Sequence, residues 1–86
     1  AGRLKYMRYF IYVLKSLSAK KSYVGITNNL QRRLMEHNSG KHVYTKRHKP
    51  WVMIYSEEYD SLKESREREK YLKSAIGRKF LKTLFS

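Results

Sequence analysis

The longest apolar stretch, residues 9–14, constrains this chain more than any other feature of its sequence. It is far shorter than the roughly 20 residues that cross a bilayer as a helix. It has the length of a buried strand, and residues 9–15 are nearly all apolar, aromatic or β-branched. A strand this apolar belongs in the middle of a sheet. Residues 16–21 are polar and turn-like, and residues 22–26 read as a second short strand, so the two form a hairpin.

The hydrophobic period then changes. Asn28 and Gln31 have capping-box spacing, and Leu30, Leu34 and His37 follow at helical intervals. Asn38, Ser39 and Gly40 stop that helix. Residues 41–50 form a basic loop, with Lys46, Arg47, His48 and Lys49 in a row. Pro50, the one proline, introduces a third strand over residues 51–55. Ser61 and Glu64 repeat the capping box, which predicts a helix over residues 62–75, interrupted by Gly77. Residues 78–85 make a final amphipathic turn or two, with Phe80, Leu81, Leu84 and Phe85 on one side. The expected class is α+β: a small three-stranded antiparallel sheet with helices packed on it, in the order β-β-α-β-α-α. With 86 residues the chain makes one domain, taken as residues 7–86 behind a short extension at 1–6. A chain of this size buries about 60–65% of its unfolded surface, enough for one modest core.

Twenty Lys and Arg stand against seven Asp and Glu, a net charge of +13. Such an excess repels itself unless a polyanion neutralises it, which points to nucleic acid. An anionic membrane surface is the rival, but it calls for a basic amphipathic helix standing apart from a fold. Here the cations are spread among strand-like segments. With no cysteine, disulfides and thiolate zinc sites are excluded. This fits a reducing, cytoplasmic compartment, and the start shows no signal-peptide pattern.

The sharpest chemical clue is a carboxylate on an apolar stripe. Leu62, Ser65, Leu72 and Ile76 share one face of the predicted helix, and Glu69 stands midway between Leu62 and Ile76. Glu64 and Glu67 point elsewhere, as surface charge. A core-facing carboxylate needs a partner. The partner is either a cation of the protein or a hard metal ion bound through oxygen. Arg33 and His37 are four apart, on the same helix face as Leu30 and Leu34. Tyr12 lies on the first strand and Tyr23 on its hairpin partner. Gly25 supplies the bare backbone that a strand needs where another group comes close. Taken singly, each of these residues also has a structural reading: an ion pair for Glu69 and Arg33, a hydrogen-bonded half-buried ring for His37, core packing for the tyrosines.

Together they resemble the GIY-YIG nuclease superfamily. Phe10-Ile11-Tyr12 stands at the first motif and Tyr23-Val24-Gly25 at the second. The segment from Thr27 through Arg33 to His37 is similar to the family's first helix, with Arg33 on its arginine. Tyr44-Thr45 and Pro50-Trp51 look like the small stand-alone branch. Glu69 falls on the metal-binding glutamate. The chain is also similar to the amino-terminal nuclease domain of the bacterial excision-repair endonuclease. There are four departures. Phe10 stands in place of the first motif's glycine, Ile26 and His37 stand where the excision-repair branch has a lysine and a tyrosine, and no asparagine follows Glu69 where many members have one.

The resemblance implies a nuclease that acts on nucleic acid, DNA before RNA, by one-metal in-line attack of water. It implies Mg²⁺ or Mn²⁺ on Glu69, Arg33 on the scissile phosphate, Tyr12 or Tyr23 activating water, and His37 assisting. Cations near the tyrosines are expected to lower their pKa. Lys41, Lys46, Arg47 and Lys49 are expected to grip phosphates, with Tyr44 stacking on bases, whereas Trp51 reads as core. With no further domain to read a target, the expectation is weak sequence preference, or recognition of structure such as ends, flaps or single strands, with a protein partner as the alternative source of specificity. The charge alone fits equally a non-catalytic nucleic-acid-binding module on the same fold. A basic ribosome-associated protein is a third reading.

Overall fold

The computed structural model describes residues 8–85, so the extension expected at residues 1–6 lies outside the described residues. The chain runs β1 (Tyr9–Ser16), β2 (Ser22–Thr27), α1 (Leu30–Ser39), α2 (Val43–Lys46), β3 (Trp51–Tyr59), α3 (Leu62–Leu72) and α4 (Ala75–Phe85). The sheet is antiparallel, in the order β2-β1-β3, with the apolar run at its centre.

Its two faces explain that run. Ile11 and Val13 pack with Val24, Leu72 and Leu81 under α3 and α4. Tyr12 and Leu14 point the other way, onto Trp51, Leu30 and Leu34 under α1. β1 is therefore covered on both sides and has no polar face to alternate with. Each of these fully buried side chains stabilises the fold by about 1.5–3 kcal/mol. Trp51 belongs to this core, and its indole N–H donates to the Thr45 carbonyl at 2.8 Å.

Several boundaries differ from the sequence reading. Asn29, not Asn28, caps α1, accepting from the Arg32 amide at 3.0 Å. Gly40 closes α1 at φ 89°, a left-handed conformation suited to glycine. The basic loop contains the single turn α2. β3 continues past residue 55 to Tyr59, with a bulge opposite Val13 and Leu14. Ser61 caps α3 as expected, but that helix ends at Leu72 and a new one starts at Ala75.

Gly77 is therefore not the break. It sits inside α4, where the helix crosses the end of α3. A Cβ there would stand 2.0 Å from the Tyr71 carbonyl oxygen and 2.6 Å from the Leu72 Cα. The glycine lets two backbones touch. Ile76 belongs to the second helix and is exposed, so it is not part of the Glu69 stripe. Leu62, Ser65, Glu69 and Leu72 remain on it.

Candidate active site

A hollow of about 400 Å³ opens beside the sheet. Tyr12 from β1, Tyr23 and Gly25 from β2, Arg33 from α1 and Glu69 from α3 all line it. Four elements thus bring together four of the five residues expected to share a site. The fifth, His37, lies behind Tyr12 and is fully buried.

Gly25 makes this arrangement possible. A Cβ at that position would stand 2.5 Å from the Tyr12 hydroxyl oxygen and 2.6 Å from Cζ. The Tyr12 phenol thus lies directly over bare β2 backbone. Its hydroxyl meets His37 Nε2 at 2.9 Å, and His37 Nδ1 meets Thr45 Oγ1 at 2.8 Å. The Thr45 hydroxyl donates to the His42 carbonyl at 3.4 Å, so it accepts from His37 Nδ1–H. That tautomer leaves Nε2 to accept the Tyr12 proton. The outer lone pairs of Tyr12 remain available to the hollow.

The electrostatics differ from the expectation for Tyr12. Burial pushes its pKa well above the usual phenol value, and neighbouring Tyr23 adds to this. Arg33 pulls the other way and is outweighed. His37 is driven down to about 4, by burial first and then by the charges of His42 and Arg33. It is therefore a neutral acceptor at pH 7.

Arg33 is held in place by its own helix. Nη1 donates to Glu36 Oε1 at 3.0 Å and lies 3.1 Å from His42 Nε2. Its Nε is buried with no acceptor among the described residues. A buried donor left so is uncommon and wants an oxygen. Glu69 is a quarter exposed at the side chain and meets Lys73 Nζ at 3.0 Å, one helical turn on. Among the residues lining the hollow, it is the one carboxylate.

No group of three His, Cys, Asp or Glu side chains gathers among the described residues, so the protein offers no cage for zinc or calcium. A single carboxylate beside open space fits an ion that keeps most of its waters and takes phosphate oxygens, as Mg²⁺ does.

Leu62, from the Glu69 stripe, and Ile26 also line the hollow, as do Arg66 and His42, which sequence reasoning missed. Arg66 had a signal, since it precedes Glu69 by three and shares its helix face. His42 and Thr45 had none, because they lie in a loop without period. Lys41, Lys46, Arg47 and Lys49 are exposed beside the site but do not line the hollow. Tyr44, 47% exposed, stacks near Tyr23 with ring centroids 6.2 Å apart. Among the described residues, no helix is long and apolar enough to cross a membrane.

Comparison with known proteins places the chain in a family. The model of the GIY-YIG catalytic domain matches residues 8–81. A UPF0213 protein of Staphylococcus haemolyticus is 32% identical over 78 residues, covering 90% of this chain and 94% of that one. One from Bacillus pumilus is 40% identical over 76 residues, covering 87% and 76%. The solution NMR structure of the UPF0213 protein BH0048 from Bacillus halodurans has a TM-score of 0.54 and 27% identity, covering 91% and 85%. The chain belongs to the GIY-YIG family, a family of nuclease domains, alongside the small UPF0213 proteins.

Proposed function

We propose that this chain is a divalent-metal-dependent nuclease that hydrolyses phosphodiester bonds of DNA by in-line attack of water. The observation that carries the reading is the convergence of Tyr12, Tyr23, Arg33 and Glu69, from four separate elements, on one hollow with room for a phosphate. Residues 7–86 form the nuclease domain.

Arg33 forks onto the scissile phosphate. Its Nη1 is anchored by Glu36, and the guanidinium borders the hollow that would receive the phosphate. The guanidinium then offsets charge that develops in the transition state. Glu69 holds Mg²⁺ or Mn²⁺, which supplies a Lewis acid for the leaving oxygen. The Glu69–Lys73 pair is no obstacle, because an exposed pair one helical turn apart is worth only about 0.3–0.5 kcal/mol.

Tyr12 orients the attacking water. A free phenolate is disfavoured by burial. The hydrogen-bond chain offers another route: the water proton moves to the Tyr12 oxygen as the Tyr12 proton moves to His37 Nε2. A phosphate in the hollow counters the Arg33 charge and raises the proton affinity of His37. Tyr23 stands across the hollow as a second phenol for the phosphate or the water. The exposed cations of the 41–49 loop bind neighbouring phosphates and carry no sequence readout.

The test is cleavage by purified Glu69→Ala and wild-type protein, with Mn²⁺, Mg²⁺ or excess chelator. Wild type is expected to cut only with metal. The variant is expected to bind DNA nearly as well and cut none. Equal cutting by the variant, or full activity in chelator, would remove the proposal. A wild type that binds but never cuts would leave a non-catalytic binding module.

A further inference from the structure

A second, larger recess of about 1100 Å³ begins where the hollow ends, and Tyr23 lines both. It runs between the β1–β2 hairpin and the α3–α4 pair. Lys15, Lys20 and Lys21 border it on the hairpin side, and Lys73, Arg78 and Lys82 on the helix side. All six are exposed, and among the described residues no carboxylate side chain lines the groove. Among them, Lys73 alone is ion-paired within the described residues, to Glu69. The bottom is apolar: Ala19, Tyr23 and Phe85 line it with exposed or half-buried surface, over the buried Val24, Leu72 and Leu81.

We propose that this groove holds an unpaired DNA strand leading away from the scissile phosphate, so that the substrate is DNA with a single-stranded stretch. The inference rests in part on the nuclease reading, which fixes where the strand starts. Two rows of cations on facing walls, five of the six without an ion-pair partner among the described residues, repel each other, and a polyanion between them removes the repulsion. The apolar floor decides which polyanion. A duplex hides its bases and offers only phosphates, so it has no use for the floor. An unpaired strand buries base and sugar surface there while its phosphates meet the walls. Tyr23 and the exposed ring of Tyr44 add stacking faces at the end nearest the hollow. That the strand is DNA rather than RNA is carried over from the nuclease reading. None of the six cations lies in the basic loop that dominates the sequence.

The test is fluorescence anisotropy with labelled single-stranded DNA of about 16 nucleotides, the matching duplex and the matching RNA. Excess chelator keeps every strand intact, so affinity is read whether or not the protein is a nuclease. Wild type is expected to bind the single DNA strand at least about tenfold tighter than the duplex, and tighter than the RNA. The double variant Arg78→Glu/Lys82→Glu is expected to lose about tenfold or more and to flatten the salt slope by about 1.4, for two phosphate contacts. Lys63→Glu/Lys70→Glu changes the charge equally on exposed α3 positions outside the groove, and is expected to lose under about threefold. Circular dichroism melts check that both fold, and Arg78→Ala/Lys82→Ala repeats the test without charge reversal. Equal losses in the two charge-reversed doubles, preference for duplex, or RNA bound as tightly as DNA would overturn the proposal. A groove that passes this test in a protein that never cuts would leave the groove standing and remove the nuclease reading.

Discussion

Two clusters in this molecule share a composition of one glutamate, one arginine and two tyrosines, yet only one is arranged around an open hollow. In the first, Glu57 on β3 accepts a bidentate fork from Arg68, at 2.9 Å from both Nε and Nη2. It also accepts the hydroxyls of Tyr55 and Tyr59. Arg68 lies over the rings of Tyr71 and Phe80 as well. Every polar group there is spent on another. Burial alone would raise the Glu57 pKa, but these hydrogen bonds outweigh it and hold the carboxyl below its usual range. In the second cluster Glu69, Arg33, Tyr12 and Tyr23 face a common hollow instead. Among the described residues, Glu69 is tied only to Lys73, and Arg33 to Glu36 and His42. The lesson is that residue types do not make a site. Holding them apart around a space does.

Glutamate exchange breaks this comparison most sharply. Glu69→Ala is expected to lower the cleavage rate by about a thousandfold or more, equivalent to about 4 kcal/mol, with little change in stability. Glu57→Ala should do the reverse. It leaves Arg68 and two phenols without their acceptor and costs about 3 kcal/mol of folding free energy. A lowered urea midpoint at unchanged slope, with normal cleavage per folded molecule, would show it. Loss of activity in Glu57→Ala at full stability would erase the distinction.

Gly25→Ala sharpens the second half. The added methyl must displace the Tyr12 phenol. A shift of this kind is expected to slow cleavage about a hundredfold, or about 2.7 kcal/mol, with binding retained. Single-turnover rates beside anisotropy titrations separate the two effects.

The smallest effect is acid sensitivity. His37 has a folded-state pKa of about 4, below its unfolded value near 6.5. The unfolded chain therefore takes up the proton first. The stability that comes from burying a neutral ring is complete above about pH 6.5 and is lost as pH falls toward 4. Between pH 6.5 and 5 the loss should approach about 2 kcal/mol. Glu57 acts in the same direction at lower pH, since its lowered carboxyl must protonate. Urea titrations across this range test it, and His37→Gln should flatten the upper part. An unchanged profile in that variant would contradict the assignment.

Much of this was legible in the sequence, for physical reasons. The order β2-β1-β3 follows from an apolar run that only a strand covered on both faces can use. The place of Glu69 follows from helical spacing, which is local and regular. The Glu57–Arg68 cluster was not legible. Its members lie on different elements, and the polar residues 56–59 read as loop until Arg68 neutralises Glu57 in space. Gly77 was misread because a glycine that breaks a helix and one that lets two helices touch look alike in sequence. The cap moved from Asn28 to Asn29 because either side chain can serve. The Tyr12 environment was misjudged because sequence lists the cations and not the depth of burial.

The central claim is that groups from separate elements act on one phosphate, and a double-mutant cycle tests it most directly. Single-turnover cleavage would be measured for wild type, Arg33→Ala, Glu69→Ala and the double variant. If both side chains serve the same phosphate, the double variant should be little slower than the slower single one. Losses that multiply in full, or either single variant cutting at the wild-type rate, would contradict it.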